Sequence, residues 1–385
     1  MRRKVLLVTE TIAGHGHLRA AEAIQQAMQL VAPNIETKLV TTMPFVSSAL
    51  ERTVRKVYLN TLKVAPKMWG WAYESERVTS SFLKEGLART VAVKLEALLD
   101  EEQPDVVVCT HAFSVGAFGF LKQKRPSFVL GAVITDFDLN GFWVHEGVDF
   151  YLVSNEQLKR KLVERFDIPA YRIHVTGIPI DLKFAPILRT QDREKLRQRL
   201  GIAQNQFFLL VTGGGTGYGP LDQVVEVLDG LDGPLVIAVI TGQNTEMYVK
   251  LMDIAAKSRH RVRLYGYVDN MEEFMLAADL MISKPGGLSV SEALAIGLPL
   301  LIVQPIPGQE ERNSRYLVKQ RVAFKVEELD EVAEIVKQVM HRPEVLDVMR
   351  EAAERLGKPY ASLQASGIIL DYLNFPVLET PIPTK

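Results

Sequence analysis

The chain has 385 residues, 47% of them hydrophobic, enough for two domains of ordinary size with separate cores. Its 45 basic and 46 acidic side chains balance, so no whole-chain field argues for nucleic acid, and contact with an anionic surface has to come from a local patch. The single cysteine, Cys109, excludes intrachain disulfides and a cysteine-rich metal site.

The expectation is a cytoplasmic protein. The apolar run Val5 to Val8 is too short for a signal segment, and no stretch reaches the roughly 18 apolar residues of a membrane span. Val5 to Val8 reads as a buried parallel strand and Leu18 to Leu30 as a helix. Strands follow at Thr37 to Thr41, Val106 to Cys109, Val129 to Ile134 and Phe150 to Val153, with helical patterns over Ser80 to Asp100 and Asn155 to Phe166. This alternation predicts a doubly wound parallel sheet.

After a linker near Asp181 to Gln191 the pattern restarts: Phe207 to Val211, a glycine turn, a helix from Leu221, then strands at Leu235 to Ile240, Arg261 to Tyr265 and Leu280 to Ile282. The predicted fold is α/β, two Rossmann-like doubly wound domains facing a cleft, over residues 1–183 and 190–350. A helical tail over 351–375 is expected to pack back across the hinge, and the proline-rich last ten residues to fray. Ligands of open parallel sheets bind beyond the carboxyl ends of the strands, so two such domains give a two-substrate site.

Three glycine turns follow strands. The first, with Gly14 and Gly16, lacks the third glycine of a dinucleotide fingerprint, where Arg19 stands, and the second strand ends in Thr41 and Thr42 rather than an acidic residue. What it offers is His17 beside His15 at the mouth of a helix. Either histidine can serve as a plain helix cap, or His17 as a general base, with an ordinary pKa near 6.5.

The second turn, Gly213 to Gly219 with Gly214 and Gly215, lets the backbone approach a ligand closely but has no Gly-Lys-Ser/Thr ending, so it is not a triphosphate loop. The third runs from Ser283 through Lys284-Pro285-Gly286-Gly287-Leu288-Ser289 into a helix carrying Glu292, and Pro307-Gly-Gln-Glu-Glu-Arg-Asn313 follows. Free N–H groups at that helix start suit a diphosphate, and Glu292 suits the hydroxyls of a ribose. Together the two turns predict a nucleotide-sugar site.

Asp136-Phe-Asp138 has the D-x-D form that metal-dependent transferases use, but it lies in the half without the diphosphate turns, which favours a cleft-lining or structural role for Asp136. In Val54 to Tyr73, Arg55, Lys56, Lys63 and Lys67 alternate with aromatics including Trp69, Trp71 and Tyr73. This composition fits either a protein seated on an anionic bilayer surface or a core helix with solvated lysines.

Several of these motifs coincide with one family. Gly-x-Gly-His-x-x-Ala-Ala at 14–21, Thr-Asp-Phe at 135–137 before Trp143, Gly-Ile-Pro at 177–179, the triple glycine at 213–215 and Lys-Pro-Gly-Gly with Pro-Gly-Gln-Glu resemble the monogalactosyldiacylglycerol synthase and processive diacylglycerol glucosyltransferase family. The resemblance runs from residue 4 to about 340 and implies the GT-B fold.

It further implies that the N-terminal domain binds diacylglycerol at the anionic inner face of the cell membrane and that the C-terminal domain binds a UDP-sugar. The enzyme implied is an inverting hexosyltransferase acting on the 3-hydroxyl of 1,2-diacylglycerol, with no metal or other cofactor. By the same resemblance His17 is the base. The acceptor side comprises Gly16, Asp136, Trp143, Trp69 and Tyr73. The donor is held by Gly213, Gly214, Gly215, Tyr267, Val268, Gly286, Gly287, Leu288, Ser289, Glu292, Gln309, Glu310 and Asn313.

One position departs from the family pattern: Asn140 stands where a histidine is frequent. The motifs leave galactose against glucose open. They also leave open another lipid acceptor, a UDP-sugar epimerase, and a non-catalytic UDP-sugar sensor.

Overall fold

The computed structural model describes residues 3–10, 15–42, 92, 95–139, 141–186, 192–233 and 235–374. Gly14, the segment from Val54 to Tyr73 with Trp69 and Tyr73, Asn140 and the last ten residues lie outside the described residues. The chain divides into two compact units, Met1–Asp181 with Tyr360–Lys385, and Leu182–Pro359.

The first unit is a six-stranded parallel sheet in the order β2-β1-β3-β4-β5-β6. The strands are β1 (Lys4–Thr9), β2 (Glu36–Thr41), β3 (Val106–Cys109), β4 (Val129–Val133), β5 (Phe150–Val153) and β6 (Ile173–Val175). Among its described helices are α1 (Gly16–Val31), α2 (Ala112–Lys124) and α3 (Glu156–Phe166). Because successive strand residues point to opposite faces, Leu6, Val8, Val107 and Leu130 pack with Phe118 of α2 and Leu158 of α3. Val5, Leu7, Val106 and Val108 pack instead with Ile24 and Met28 of α1. Both faces are covered, which is why these strands read as unbroken apolar runs.

The second unit repeats the plan in the order β12-β11-β10-β7-β8-β9. Its strands are β7 (Phe207–Thr212), β8 (Leu235–Ile240), β9 (Arg261–Tyr265), β10 (Leu280–Ser283), β11 (Leu300–Ile302) and β12 (Ala323–Lys325). The helices are α4 (Arg193–Arg199), α5 (Leu221–Leu228), α6 (Thr245–Lys257), α7 (Met271–Ala277), α8 (Gly287–Ala295), α9 (Gln309–Lys319), α10 (Glu331–His341) and α11 (Pro343–Leu356). One core joins Leu209, Ile237, Ile282 and Leu301 to Val224, Val336 and Met349.

The tail predicted as one helix over 351–375 is two. Helix α11 stops at Leu356, and Gly357 comes so close to α8 that a Cβ there would lie 2.4 Å from the Leu294 carbonyl oxygen. Pro359 follows, unable to continue a helix. The chain then re-enters the first unit as α12 (Ala361–Asn374). There Ile369 and Leu373 join the core, Tyr372 stacks on Phe150 with centroids 4.3 Å apart, and Arg3 Nη1 donates to the Leu373 carbonyl at 2.7 Å.

Candidate active site

In each sheet the winding direction reverses between two adjacent strands, and a crevice opens there at the carboxyl ends. In the first unit the reversal lies between β1 and β3. The residues that follow those strands meet at it: His17 at the start of α1, Thr110 and His111 after β3, and Thr135 after β4.

The tautomer of His17 follows from its neighbours. Its Nδ1 lies 2.9 Å from the Thr110 carbonyl oxygen and 2.7 Å from Thr135 Oγ1. A carbonyl can only accept, so Nδ1 carries the hydrogen and Nε2 keeps its lone pair. The buried Thr110 hydroxyl sits 2.9 Å from the His17 carbonyl, to which it donates, and 2.8 Å from Thr9 Oγ1. This clamps the first turn of α1 to the ends of β1 and β3.

His111 stands edge-on to His17, with ring centroids 4.6 Å apart. It caps α2 by accepting the Phe113 N–H at Nδ1, 3.3 Å away. Burial lowers the pKa of His17 from its ordinary value to about 4, against the raising effect of the Thr110 carbonyl. Burial, and then His17 itself, push His111 well below the usual histidine range. The ordinary value near 6.5 expected for His17 is therefore not the one this site imposes. At neutral pH both rings are uncharged, and His17 presents a free Nε2.

Of the predicted acceptor residues, Gly16 opens α1, and Trp143 is buried with its ring centroid 6.4 Å from that of His17. Asp136 is buried, and its main-chain oxygen accepts from Ser154 Oγ at 2.7 Å. The other carboxylate of the triplet, Asp138, is held by Lys161 at 2.8 Å.

In the second unit the reversal lies between β7 and β10. The two glycine turns follow those strands, with Gly214 and Ser289 adjoining: a Cβ on Gly214 would lie 3.9 Å from Ser289 Oγ. The first turn is a rigid piece of backbone. Gly217 has φ +60°, and a Cβ there would fall 1.8 Å from the Thr241 oxygen, so only glycine fits. Gly215 O accepts from Gln243 N at 3.0 Å, and Gly214 N donates to Thr212 Oγ1 at 3.1 Å. The Gly214 amide expected to face a diphosphate thus serves the turn.

Gly286 and Gly287 lead into α8, whose first turn, with Gly287, Leu288 and Ser289, has no side-chain cap. Glu292 lies one turn on and is half-buried. Tyr267 and Val268 follow β9 at the same end of the sheet, with Tyr267 exposed.

Gln309 begins α9, while Glu310 is buried and receives the Ile306 N–H at 2.9 Å. Asn313 is fully buried and donates to the Pro285 carbonyl at 3.1 Å. In this structure it braces the turn that it was expected to complete as a sugar ligand.

Thr110 and His111 were not singled out from the sequence, and Thr135 was read only as part of the Thr-Asp-Phe motif. The available signal was their position directly after buried apolar runs, where ligand-facing residues of parallel sheets concentrate. Lys284 was read only as part of its motif. It pairs with Glu310 at 3.1 Å and lies over the Tyr218 ring.

Comparison with known proteins agrees with this geometry. A family model described as monogalactosyldiacylglycerol synthase matches residues 17–180, and one described as glycosyl transferases group 1 matches 192–356. The processive diacylglycerol beta-glucosyltransferase of Bacillus cytotoxicus is 28% identical over 373 residues, covering 96% of this chain and 93% of that protein. The protein of the same name from Bacillus subtilis (strain 168) is 28% identical over 360 residues, 91% of this chain and 90% of the other. Among solved structures, Acinetobacter baumannii MurG superimposes with a TM-score of 0.66 at 14% identity, covering 96% of this chain and 99% of that one.

Two parallel α/β units with turn-lined switch points give a fold of the GT-B type. Within that fold class the chain is similar to the monogalactosyldiacylglycerol synthase and processive diacylglycerol glucosyltransferase family over most of its length.

Proposed function

We propose that this protein is an inverting hexosyltransferase that moves a sugar from a UDP-sugar to the 3-hydroxyl of 1,2-diacylglycerol, forming a β-glycolipid. The observation that carries the reading is His17: a neutral imidazole at the switch point of the first unit, with Nδ1–H held by the Thr110 carbonyl and Nε2 unprotonated. Nε2 takes the hydroxyl proton as the oxygen attacks the anomeric carbon. The carbon–oxygen bond to UDP breaks, and UDP leaves with the electron pair. The Thr110 carbonyl, which accepts from Nδ1–H, steadies the imidazolium as it forms.

The uncapped start of α8, beside the glycine turn after β7, supplies main-chain amides for the departing diphosphate, without a metal. Of the two hexoses, the name of the Bacillus relatives, beta-glucosyltransferase, favours glucose.

The acceptor is a lipid, so the enzyme works at the inner face of the cell membrane as a peripheral protein. Among the described residues no helix is long and apolar enough to cross a membrane. The test supplies labelled UDP-glucose and UDP-galactose to the protein with liposomes that contain or lack diacylglycerol, with EDTA present. Diacylglycerol-dependent glycolipid formation supports the proposal. Sugar conversion without lipid would favour an epimerase, and UDP-sugar binding without turnover a sensor.

A further inference from the structure

Lys284 is the first residue after β10, on the second unit's switch point, and stands between the two turns. Its ammonium lies 3.1 Å from Glu310 Oε1 and 5.7 Å from the centroid of the Tyr218 ring, which belongs to the glycine turn after β7. The other Glu310 oxygen accepts the Ile306 N–H, so this buried carboxylate is fixed from the far side. An ammonium has three donors, and Glu310 takes one of them. Beside it the turn is open: a Cβ on Gly286 would meet no atom within 4 Å. The result is a cation held by one carboxylate and one aromatic face, next to free space and the uncapped start of α8.

We propose that Lys284 reads the second phosphate of the nucleotide donor: resting on Glu310, it passes to that phosphate when the donor binds and so selects nucleoside diphosphates over monophosphates. The inference rests on the reading that this unit binds a UDP-sugar. Lys284 contacts the ligand, whereas Glu310 is a positioning residue that stores the charge while the site is empty. A charge-assisted hydrogen bond to a phosphate is strong enough to change affinity by about tenfold or more. It acts on the diphosphate alone because a monophosphate ends before reaching it.

The test is calorimetric titration of UDP and of UMP into the full chain and its variants at fixed ionic strength. Lys284→Gln should weaken UDP by about tenfold or more and UMP by less than about threefold, with Lys284→Arg largely restoring UDP. Glu310→Gln, which removes the resting counter-charge but keeps a hydrogen-bonding group, should tighten UDP and leave UMP unchanged.

Equal losses for both nucleotides, or weaker UDP binding in Glu310→Gln, would make the pair a brace of the turn and overturn the inference. So would a wild-type protein that binds UDP and UMP alike. A wild-type protein that binds neither would refute the nucleotide-sugar reading instead. Should Lys284→Gln unfold early in a thermal melt, the Arg and Glu310 variants decide alone.

Discussion

The two units are built on one plan and equipped for opposite chemistry. Each is a six-stranded parallel sheet whose winding reverses between two central strands. At the first unit's reversal stand two neutral imidazoles, His17 and His111, drawn below their ordinary pKa values by burial. At the second stand glycine turns, an uncapped helix start and the Lys284–Glu310 pair. On the proposed reading, one switch point accepts a proton and the other accepts negative charge. Among the described residues, those after β1, β3 and β4 differ in chemical type from those after β7 and β10, although the sheets that carry them share one plan.

The comparison breaks most sharply at His17. His17→Ala should lower turnover about 100-fold or more while calorimetry finds UDP affinity unchanged, since the residue belongs to the first unit. A parallel fall in UDP affinity would merge the two roles. Gly217→Ala is the counterpart in the second unit. With its Cβ 1.8 Å from the Thr241 oxygen, the turn must shift, costing on the order of 2 kcal/mol or more in urea denaturation and weakening UDP binding.

Thr135→Val keeps the Thr110 acceptor and removes the second oxygen beside Nδ1. A loss of about fivefold in kcat is expected, with KM for the UDP-sugar unmoved. The smallest effect is in pH. The folded-state pKa of His17 is depressed, so between about 6.5 and about 4 the unfolded chain binds more protons, and stability falls as pH drops through that window. His17→Gln should flatten this fall, by at most about 1.4 kcal/mol per pH unit, in urea denaturation at pH 7 and pH 5.

Most strands were legible because a sheet covered on both faces needs uninterrupted apolar residues, as in Val106–Cys109 and Leu235–Ile240. Strand β6 was not, since it is a short edge strand with His174 at its centre. Helix α2 escaped for the reverse reason: it is apolar all round and carries Gly116 and Gly119, where His145 and the chain beside it pack too closely for a Cβ. His17 was legible through its local motif. Its pairing with Thr110 and with Thr135, the latter read only as a motif residue, was not, because they lie 93 and 118 residues away and are brought in by strand order. Asn313 was legible as a motif residue, but only burial and its bond to Pro285 reveal a brace.

The central claim is that proton removal in one unit and charge stabilisation in the other together make a glycoside of inverted configuration. The direct measurement is the anomeric configuration of the lipid product made from α-linked UDP-glucose or UDP-galactose and diacylglycerol, read from the proton coupling at the anomeric carbon. The account predicts a β-glycoside; an α-glycoside, or consumption of the UDP-sugar without a lipid product, would contradict it.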